Sequence, residues 1–480
     1  MSTSSISSLG IGSGIDANSI VQQLVALQRQ PIADLQTAAS KIQTKISAFG
    51  QIQSAVSALQ TAAQKLTNPS TWSATTATSS DTTSVSATTN AGAMAGIYNV
   101  QVTALAASQS VASKNILPSA TSTMGSGILH IDVGSWSGAA FTAKPGTTRV
   151  DVTIAATDTL NDIQAKINSS NAGVTASIVT DASGARLIMQ STATGATNGF
   201  RTTVADNDGI NTDISGISGL AYDPGSATAG TALTQSAADA SATINGVAVT
   251  SPSNTLSNVI SGINLNLSKV TTSPVAITVA QDNTSISKAI TDFAAAYSSL
   301  SSLLKDDTKY DAGTKTAGPL QGDSTAVGIL NNFRSTINTA GSNASTVFSD
   351  LTTIGLVIQS NGSLTVDATK LTSALNSNLA EVKKLFSNTN SVNPAQNGVA
   401  TQINSMSSSM LAVDGAITTR TSGLNTSITR NQQQQDVLNA RAALYEQRLR
   451  AQYTALDKTM AGLNTQSSYV SQQVNAWSRR

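Results

Sequence analysis

Reactive side chains are few in this chain of 480 residues, and they lie far apart. The chain has no cysteine, which excludes disulfides, thiolate catalysis and cysteine metal sites. His130 is the single histidine, so two imidazole metal ligands are excluded and one Ser-His arrangement is the most that could form. It lies between Leu129 and Ile131 in a strand-like run that shows no partner to orient it, which favours a structural role over a catalytic one.

The other motifs that could do chemistry are weak. The only two glutamates, Glu381 and Glu446, lie in separate predicted helices, where a solvated helix face explains them. Glycines within residues 10–14 suggest a phosphate loop, but no strand precedes them and no Lys-Ser/Thr pair follows. Residues 206–209 resemble part of a calcium loop but lack its terminal glutamate, so a turn is predicted. We therefore expect no catalytic residue, no cofactor and no metal, and hence no enzyme.

Composition also limits the possible partners. Charged residues make up 11% of the chain, against about 25% in average soluble proteins. Lys and Arg number 27 and Asp and Glu 26, so no strong field attracts nucleic acid or a membrane surface. No run of eighteen apolar residues occurs, and the first cationic side chain is Arg29, so neither a membrane span nor a cleaved secretory signal is expected.

The elements that organise the chain are two hydrophobic patterns at its ends that repeat every 3.5 residues, as in coiled coils. The amino-terminal pattern contains one stammer and the carboxy-terminal one contains one stutter. Polar residues such as Asn431 and Gln435 interrupt the second pattern, where they lower stability in exchange for register. The two patterns comprise Leu35, Ala39, Ile42, Ile46, Phe49, Ile52, Val56, Leu59, Ala63 and Leu66, and positions from Ile417 through Leu424, Leu438, Leu449, Leu456 and Leu463 to Trp477.

Between these two terminal patterns, which we call the amino-terminal and carboxy-terminal arms, the sequence predicts β-rich structure. After Pro69, alternating Thr- and Ser-rich segments such as residues 98–103 and 149–154 are typical of strands. Residues 159–168 reappear in similar form as residues 255–264, which predicts two related units of a strand followed by a helix.

The predicted fold class is α+β multidomain, with a discontinuous coiled-coil stalk built from both chain ends and two inserted β-rich domains. A short amphipathic helix is expected to end before Pro31. The predicted parts are a flexible terminal leg (1–34, pairing with 455–480), the stalk (35–72 with 285–454), an inner β-rich domain (73–110 and 237–284) and an outer one (111–236).

Local motifs in a fixed order resemble the flagellar filament cap family, also called hook-associated protein 2. The opening segments at residues 12–17, 20–24 and 30–32 are similar to the family's amino-terminal signature. Residues 159–191 are similar to a repeat of flagellins and hook proteins, and so are residues 244–264. The segments at 318–323, 362–367, 453–460 and 463–466 resemble the family's carboxy-terminal domain, so the likeness covers essentially the whole chain.

This resemblance implies a protein exported by the flagellar type III apparatus, with a cytoplasmic chaperone and without signal-peptide cleavage. It implies an extracellular, ring-shaped homo-oligomer, a pentamer or hexamer, at the distal tip of the flagellum. There it would promote folding and insertion of flagellin, as filament elongation and motility require. An adhesive role toward host surface glycans is compatible with this, and a hook-filament junction protein, a flagellin-like structural protein or a surface adhesin are the alternatives.

The terminal helices are the predicted partner-binding site. Arms that become ordered only against the terminal helices of flagellin would bind weakly enough to release and step. The alternative is that the same residues pair only with one another inside one subunit. The predicted contact residues are Ile20, Leu24, Leu27, Leu463, Val470, Val474 and Trp477.

Overall fold

The computed structural model describes residues 16–226, 230–339 and 345–478. These residues form two compact units: a helical unit built from the chain up to Trp72 and from Asn283 onward, and a β-rich unit from Ser73 to Asp282. The predicted fold class is confirmed, because both chain ends contribute to the helical unit and the β-rich part is inserted between them. The sequence predicted that the β-rich part ends after residue 284, and in the structure the β-rich unit ends at Asp282; both begin after residue 72.

The amino-terminal arm is one helix, α1 (Ala17–Thr67), followed by the short α2 (Pro69–Trp72). Asp16 caps α1 by accepting a hydrogen bond from the Ser19 backbone N–H at 3.0 Å. The expected helix end before Pro31 is wrong, since Pro31 lies inside α1. A proline removes one backbone hydrogen bond, and burial of Val25 and Ile32 on either side offsets that loss.

The inner part of the β-rich unit is a sandwich of two antiparallel sheets. A five-stranded sheet in the order β1-β16-β3-β12-β13 faces a three-stranded sheet in the order β14-β15-β2. Alternate side chains such as Val100, Ile277 and Leu265 fill the space between them. The strands are β1 (Thr75–Ser79), β2 (Val85–Thr89), β3 (Gly96–Ala104), β12 (Ala240–Ile244), β13 (Val247–Ser251), β14 (Thr255–Ile260), β15 (Ile263–Leu267) and β16 (Val275–Gln281).

The outer part has a separate core between two further antiparallel sheets and one helix. The helix, α3 (Leu160–Ser169), begins with a capping box between Thr159 and Asp162 and buries Leu160, Ile163 and Ile167. The strands are β4 (Ser110–Ser113), β5 (Gly127–Ser137), β6 (Ala140–Ala143), β7 (Val150–Ile154), β8 (Val174–Asp181), β9 (Gly184–Ser191), β10 (Gly199–Asp206) and β11 (Thr231–Gln235).

The two copies of the predicted repeat fold differently. Residues 159–168 form α3 as expected, whereas residues 255–264 form the hairpin of β14 and β15. The second copy has Asn258 where the first has Asp162, so it lacks the capping-box carboxylate. Asn258 and Gly262 adopt positive φ (61° and 72°), which bends the chain back instead of continuing a helix. The prediction of two equivalent strand-plus-helix units is therefore wrong.

The carboxy-terminal half completes the helical unit. α1 packs against α4, α7 and α8, and its residues Phe49, Ile52, Val56 and Leu59 are fully buried in the shared core. The hydrophobic pattern predicted for the amino-terminal arm thus does form the buried contact face of α1 along these residues. The elements are α4 (Asn283–Thr308), β17 (Tyr310–Asp311), β18 (Thr316–Ala317), α5 (Ser324–Thr339), β19 (Leu356–Ile358), β20 (Leu364–Val366), α6 (Ala368–Ser387), α7 (Val399–Leu411) and α8 (Ala416–Trp477).

Candidate functional site on the terminal helices

His130 has a partner that the sequence did not reveal. It lies opposite Asp151 in the pairing of β5 with β7, and the two side chains are joined by a 2.6 Å contact between Nδ1 and Oδ1. Strand register, which brings residues twenty-one apart in sequence side by side, creates this pair. Among the described residues, His, Asp and Glu form no group of three or more that could hold a metal ion.

The terminal arms pair as antiparallel helices, and polar contacts fix their register. Asn431 on α8 is buried and donates from Nδ2 to the Leu35 carbonyl at 3.0 Å, while its Oδ1 accepts from Gln435 Nε2 at 2.6 Å. Further along, Arg450 donates to Asn18 Oδ1 at 3.2 Å. The buried amide of Asn431 keeps its hydrogen bonds only in one alignment of the two helices. This residue therefore fixes the register of the hydrophobic pattern.

Near the start of α1, the two arms meet in a small apolar cluster. Val21 and Val25 are buried against Leu449, with Tyr445 and Tyr453 packed around them. These contacts place residues 16–34 against residues that the sequence assigned to the stalk. The rest of the predicted pairing of 1–34 with 455–480 involves residues 1–15, which lie outside the described residues, so it stays a prediction.

The predicted amino-terminal contact residues share a less buried face. Ile20 and Leu24 are half-buried, and Leu24 packs against the cluster of Val21 and Val25. Leu27 is 61% exposed. The sequence reading missed Val21 and Val25, although their four-residue spacing with Ala17 marks the buried stripe.

The predicted carboxy-terminal contact residues are all exposed. From Ala461 to Ser478 every residue of the helix end is exposed. Helical spacing of seven, four and three residues places the apolar side chains on one face. We refer to residues 456–477 as the terminal segment. The exposed fractions are 53% for Leu463, 54% for Val470, 57% for Val474 and 80% for Trp477.

Ion pairs cannot be the main attraction between the terminal segment and a partner. Asp457 and Lys458 are its only charged residues, and both lie at its beginning. Covering one large apolar side chain contributes about 1.5–3 kcal/mol, so a helix laid along Leu463, Val470, Val474 and Trp477 would gain mainly by apolar burial. An exposed apolar stripe of this kind is what one helix of a two-stranded coiled coil presents to the other helix. No helix in the described part of the chain is both long and apolar enough to cross a membrane.

Comparison with known protein families places this arrangement in context. The model "Flagellar hook-associated protein 2 N-terminus" matches residues 13–109, and "Flagellar hook-associated protein 2 C-terminus" matches residues 237–465. The "Flagellin hook IN motif" matches residues 140–193, which include the first copy of the predicted repeat.

Individual relatives match along nearly the whole chain. The flagellar hook-associated protein 2 of Escherichia coli K12 is 33% identical over 481 residues, covering 98% of each chain. The B-type flagellar hook-associated protein 2 of Pseudomonas aeruginosa PAO1 is 29% identical, covering 94% of this chain and 93% of the relative. The crystal structure of the D1-D2-D3 domains of the Escherichia coli flagellar cap protein FliD superposes with a TM-score of 0.62 at 31% identity, covering 79% of this chain and 99% of that one. These matches confirm the predicted family resemblance.

Proposed function

Since the chain belongs to the flagellar hook-associated protein 2 family, we propose that it forms an extracellular homo-oligomeric cap at the distal tip of a bacterial flagellar filament. In this role it promotes folding and insertion of flagellin, and filament elongation and motility depend on it. The observation that carries the proposal is the full-length match to relatives of this name, one of which is described as a flagellar cap protein.

The exposed face of the terminal segment is the proposed contact with flagellin. Its partner is a helix with a matching apolar stripe, for which the terminal helices of flagellin are the candidate. A helix that stands alone in water is marginally stable, so part of the binding free energy is used to order it. Contact is therefore weak enough to be released when a new subunit is added.

Export is proposed to use the flagellum's own type III channel, with the help of a cytoplasmic chaperone. A chain without cysteine passes through such a channel unfolded and cannot be trapped by disulfides on emerging.

The location of the protein on the cell tests the proposal directly. Because the natural chain has no cysteine, a Ser226→Cys variant gives a single site for a maleimide dye on living bacteria. A spot at the free end of each filament is the expected result. Label at the filament base, along the shaft or on the cell body would instead indicate a junction protein, a flagellin-like protein or an adhesin.

The role of the terminal segment can be tested separately with a charge-matched pair of variants. Val470→Asp with Trp477→Asp places two carboxylates on the apolar face, and we expect filament growth and swimming to be lost. Gln472→Asp with Asn475→Asp adds the same charge on the opposite, equally exposed face and should leave filaments of normal length. Normal filaments from the first variant, measured by electron microscopy of cells with confirmed export, would refute the contact.

A further inference from the structure

The outer part of the β-rich unit contains a cavity of about 400 Å³. Three connecting segments contribute to its walls: residues 144–148 before β7, residues 171–173 before β8, and residues 192–198 between β9 and β10. Val133 on β5 and Val150 on β7 supply an apolar wall. Small-molecule sites in proteins typically have volumes of about 300–1,000 Å³, so this cavity is large enough for a small organic ligand.

A tight turn fixes one wall of this cavity. The backbone N–H of Thr147 donates to the Lys144 carbonyl at 3.2 Å, and the Thr147 hydroxyl donates to the same carbonyl at 2.7 Å. Pro145 followed by Gly146 with φ of 81° is the sequence and backbone of a type II turn. The turn therefore holds the backbone from which the Lys144 side chain extends.

Hydrogen bonds also fix the opposite wall. Asn171 and Gly173 adopt positive φ (53° and 72°) where α3 turns into β8. The backbone N–H and the hydroxyl of Thr192 both donate to the Gly173 carbonyl, at 3.0 Å and 3.1 Å. Because both walls are held by the fold itself, a ligand would pay little to order them.

Lys144 is the only charged residue that lines the cavity. Its ammonium group has three N–H donors, and one of them goes to Asn198 Oδ1 at 2.7 Å. Within the described ranges, the lysines that form ion pairs are Lys166, Lys288, Lys309 and Lys384, so Lys144 has no carboxylate partner there. Two donors and one positive charge therefore remain for the oxygen atoms of an anionic ligand.

The rest of the lining is neutral, which limits the charge that a ligand can carry. Arg149 follows Thr148 in sequence, but its Nε lies 3.5 Å from Asp132 Oδ1 and it does not line the cavity. The side chains of Thr148 and Asn171 do line it, and neither makes a hydrogen bond to another side chain or backbone group in the part of the chain that the structure describes. A hydroxyl and an amide are suited to ligand hydroxyl groups, and a single ammonium group neutralises a single negative charge.

We propose that this cavity binds a small hydroxylated monocarboxylate of the sugar-acid class. The carboxylate accepts hydrogen bonds from Lys144, and the hydroxyl groups bond with Thr148 and Asn171. The carbon skeleton packs against Val133 and Val150. The site is separate from the terminal segment, so loss of ligand binding would leave the proposed flagellin contact intact.

Titrations followed by saturation-transfer NMR on the full chain test the site. The probes are D-glucuronate, neutral D-glucose, and acetate, which has the carboxylate without the hydroxyl groups. Lys144→Met removes the charge and keeps most of the side-chain length, whereas Ala193→Phe fills the cavity and leaves Lys144 in place. Lys114→Met is the matched control, because Lys114 is exposed in the same part of the β-rich unit and does not line the cavity. Thermal unfolding followed by circular dichroism confirms that each variant is folded.

We expect glucuronate to bind the natural chain at least about ten times more tightly than glucose or acetate, because only glucuronate offers both the charge and the hydroxyl groups. Lys144→Met and Ala193→Phe should each weaken glucuronate binding by about tenfold or more, while Lys114→Met leaves it unchanged. Absence of glucuronate binding, or undiminished binding by either folded cavity variant, would overturn the site. Equal affinity for glucuronate and acetate, or for glucuronate and glucose, would overturn the assigned ligand class.

Discussion

The stalk and the terminal segment contain the same kind of hydrophobic repeat but occupy opposite environments. In the stalk, Phe49, Ile52 and Leu66 are fully buried among α4, α6 and α7. In the terminal segment, Val470 and Trp477 lie on a helix with every neighbouring residue exposed. A heptad repeat thus specifies an apolar face, while the length and position of the other elements decide whether that face is covered.

Hydrogen exchange should give the largest contrast between the two regions. Stalk amides from Phe49 to Leu66 open only with unfolding of the helical unit, so we expect protection of at least about 1,000-fold. Amides from Leu463 to Val474 belong to a helix without packing, and protection within about tenfold of an unfolded peptide is expected. Exchange followed by mass spectrometry on dilute monomer provides the measurement. Equal protection would show that the terminal segment is covered within one subunit.

Truncation of a large side chain should separate the regions by several kcal/mol. Phe49→Ala leaves a cavity in a core without exposed surface, so the free energy of unfolding should fall by about 3–5 kcal/mol. Trp477→Ala removes an exposed side chain and should change it by less than about 0.5 kcal/mol. Denaturation followed by circular dichroism at 222 nm compares the two. A comparable loss in Trp477→Ala would mean that the end of α8 packs against the folded unit.

The stalk also contains a buried charge whose removal should stabilise it. Asp307 is 8% exposed, and its Oδ2 has no hydrogen-bond partner. Burial, with a smaller contribution from Asp306, raises the pKa of Asp307. The charged form is thus disfavoured in the folded state, and stability should increase as pH falls through the raised pKa toward the ordinary value of 3.8.

Asp307→Asn removes this charge while keeping the shape of the side chain. At pH 7 we expect a gain of about 1 kcal/mol in the free energy of unfolding, and a weaker increase of stability on mild acidification. Asp306→Asn is the control, because Lys309 lowers the pKa of Asp306 and no gain should follow. Destabilisation by Asp307→Asn would indicate that the carboxylate has a favourable partner.

A smaller effect on stability, with the opposite dependence on pH, is expected at Glu381 on α6. Hydrogen bonds from Lys384, then from Thr346 and Ser345, lower the pKa of Glu381 from 4.5 to about 2. Its contribution to stability is therefore complete above pH 4.5 and lost as pH falls toward 2. Glu381→Gln should be slightly less stable than the natural chain at pH 7, and the difference should vanish near pH 2 in acid denaturation. A difference that persists at pH 2 would contradict this explanation.

Much of the fold was accessible from local patterns. The repeat from Phe49 to Leu66 identified the buried face of α1, because coiled-coil periodicity appears directly in sequence. Strands such as β3 and β7 followed from alternation. The terminal face at Leu463, Val470, Val474 and Trp477 was found in the same way, although no local pattern states what would cover it.

The sequence by itself determined which faces are apolar, where β structure begins, and the scarcity of groups for chemistry, since each depends on residue types and spacing alone. Tertiary structure alone decided that α1 continues through Pro31, that residues 255–264 form a hairpin, and that His130 meets Asp151. It also decided that Pro31 and Leu35 of α1 line a groove together with Val437 and Leu438 of α8. These outcomes depend on neighbours distant in sequence, whose packing and register outweigh local preference.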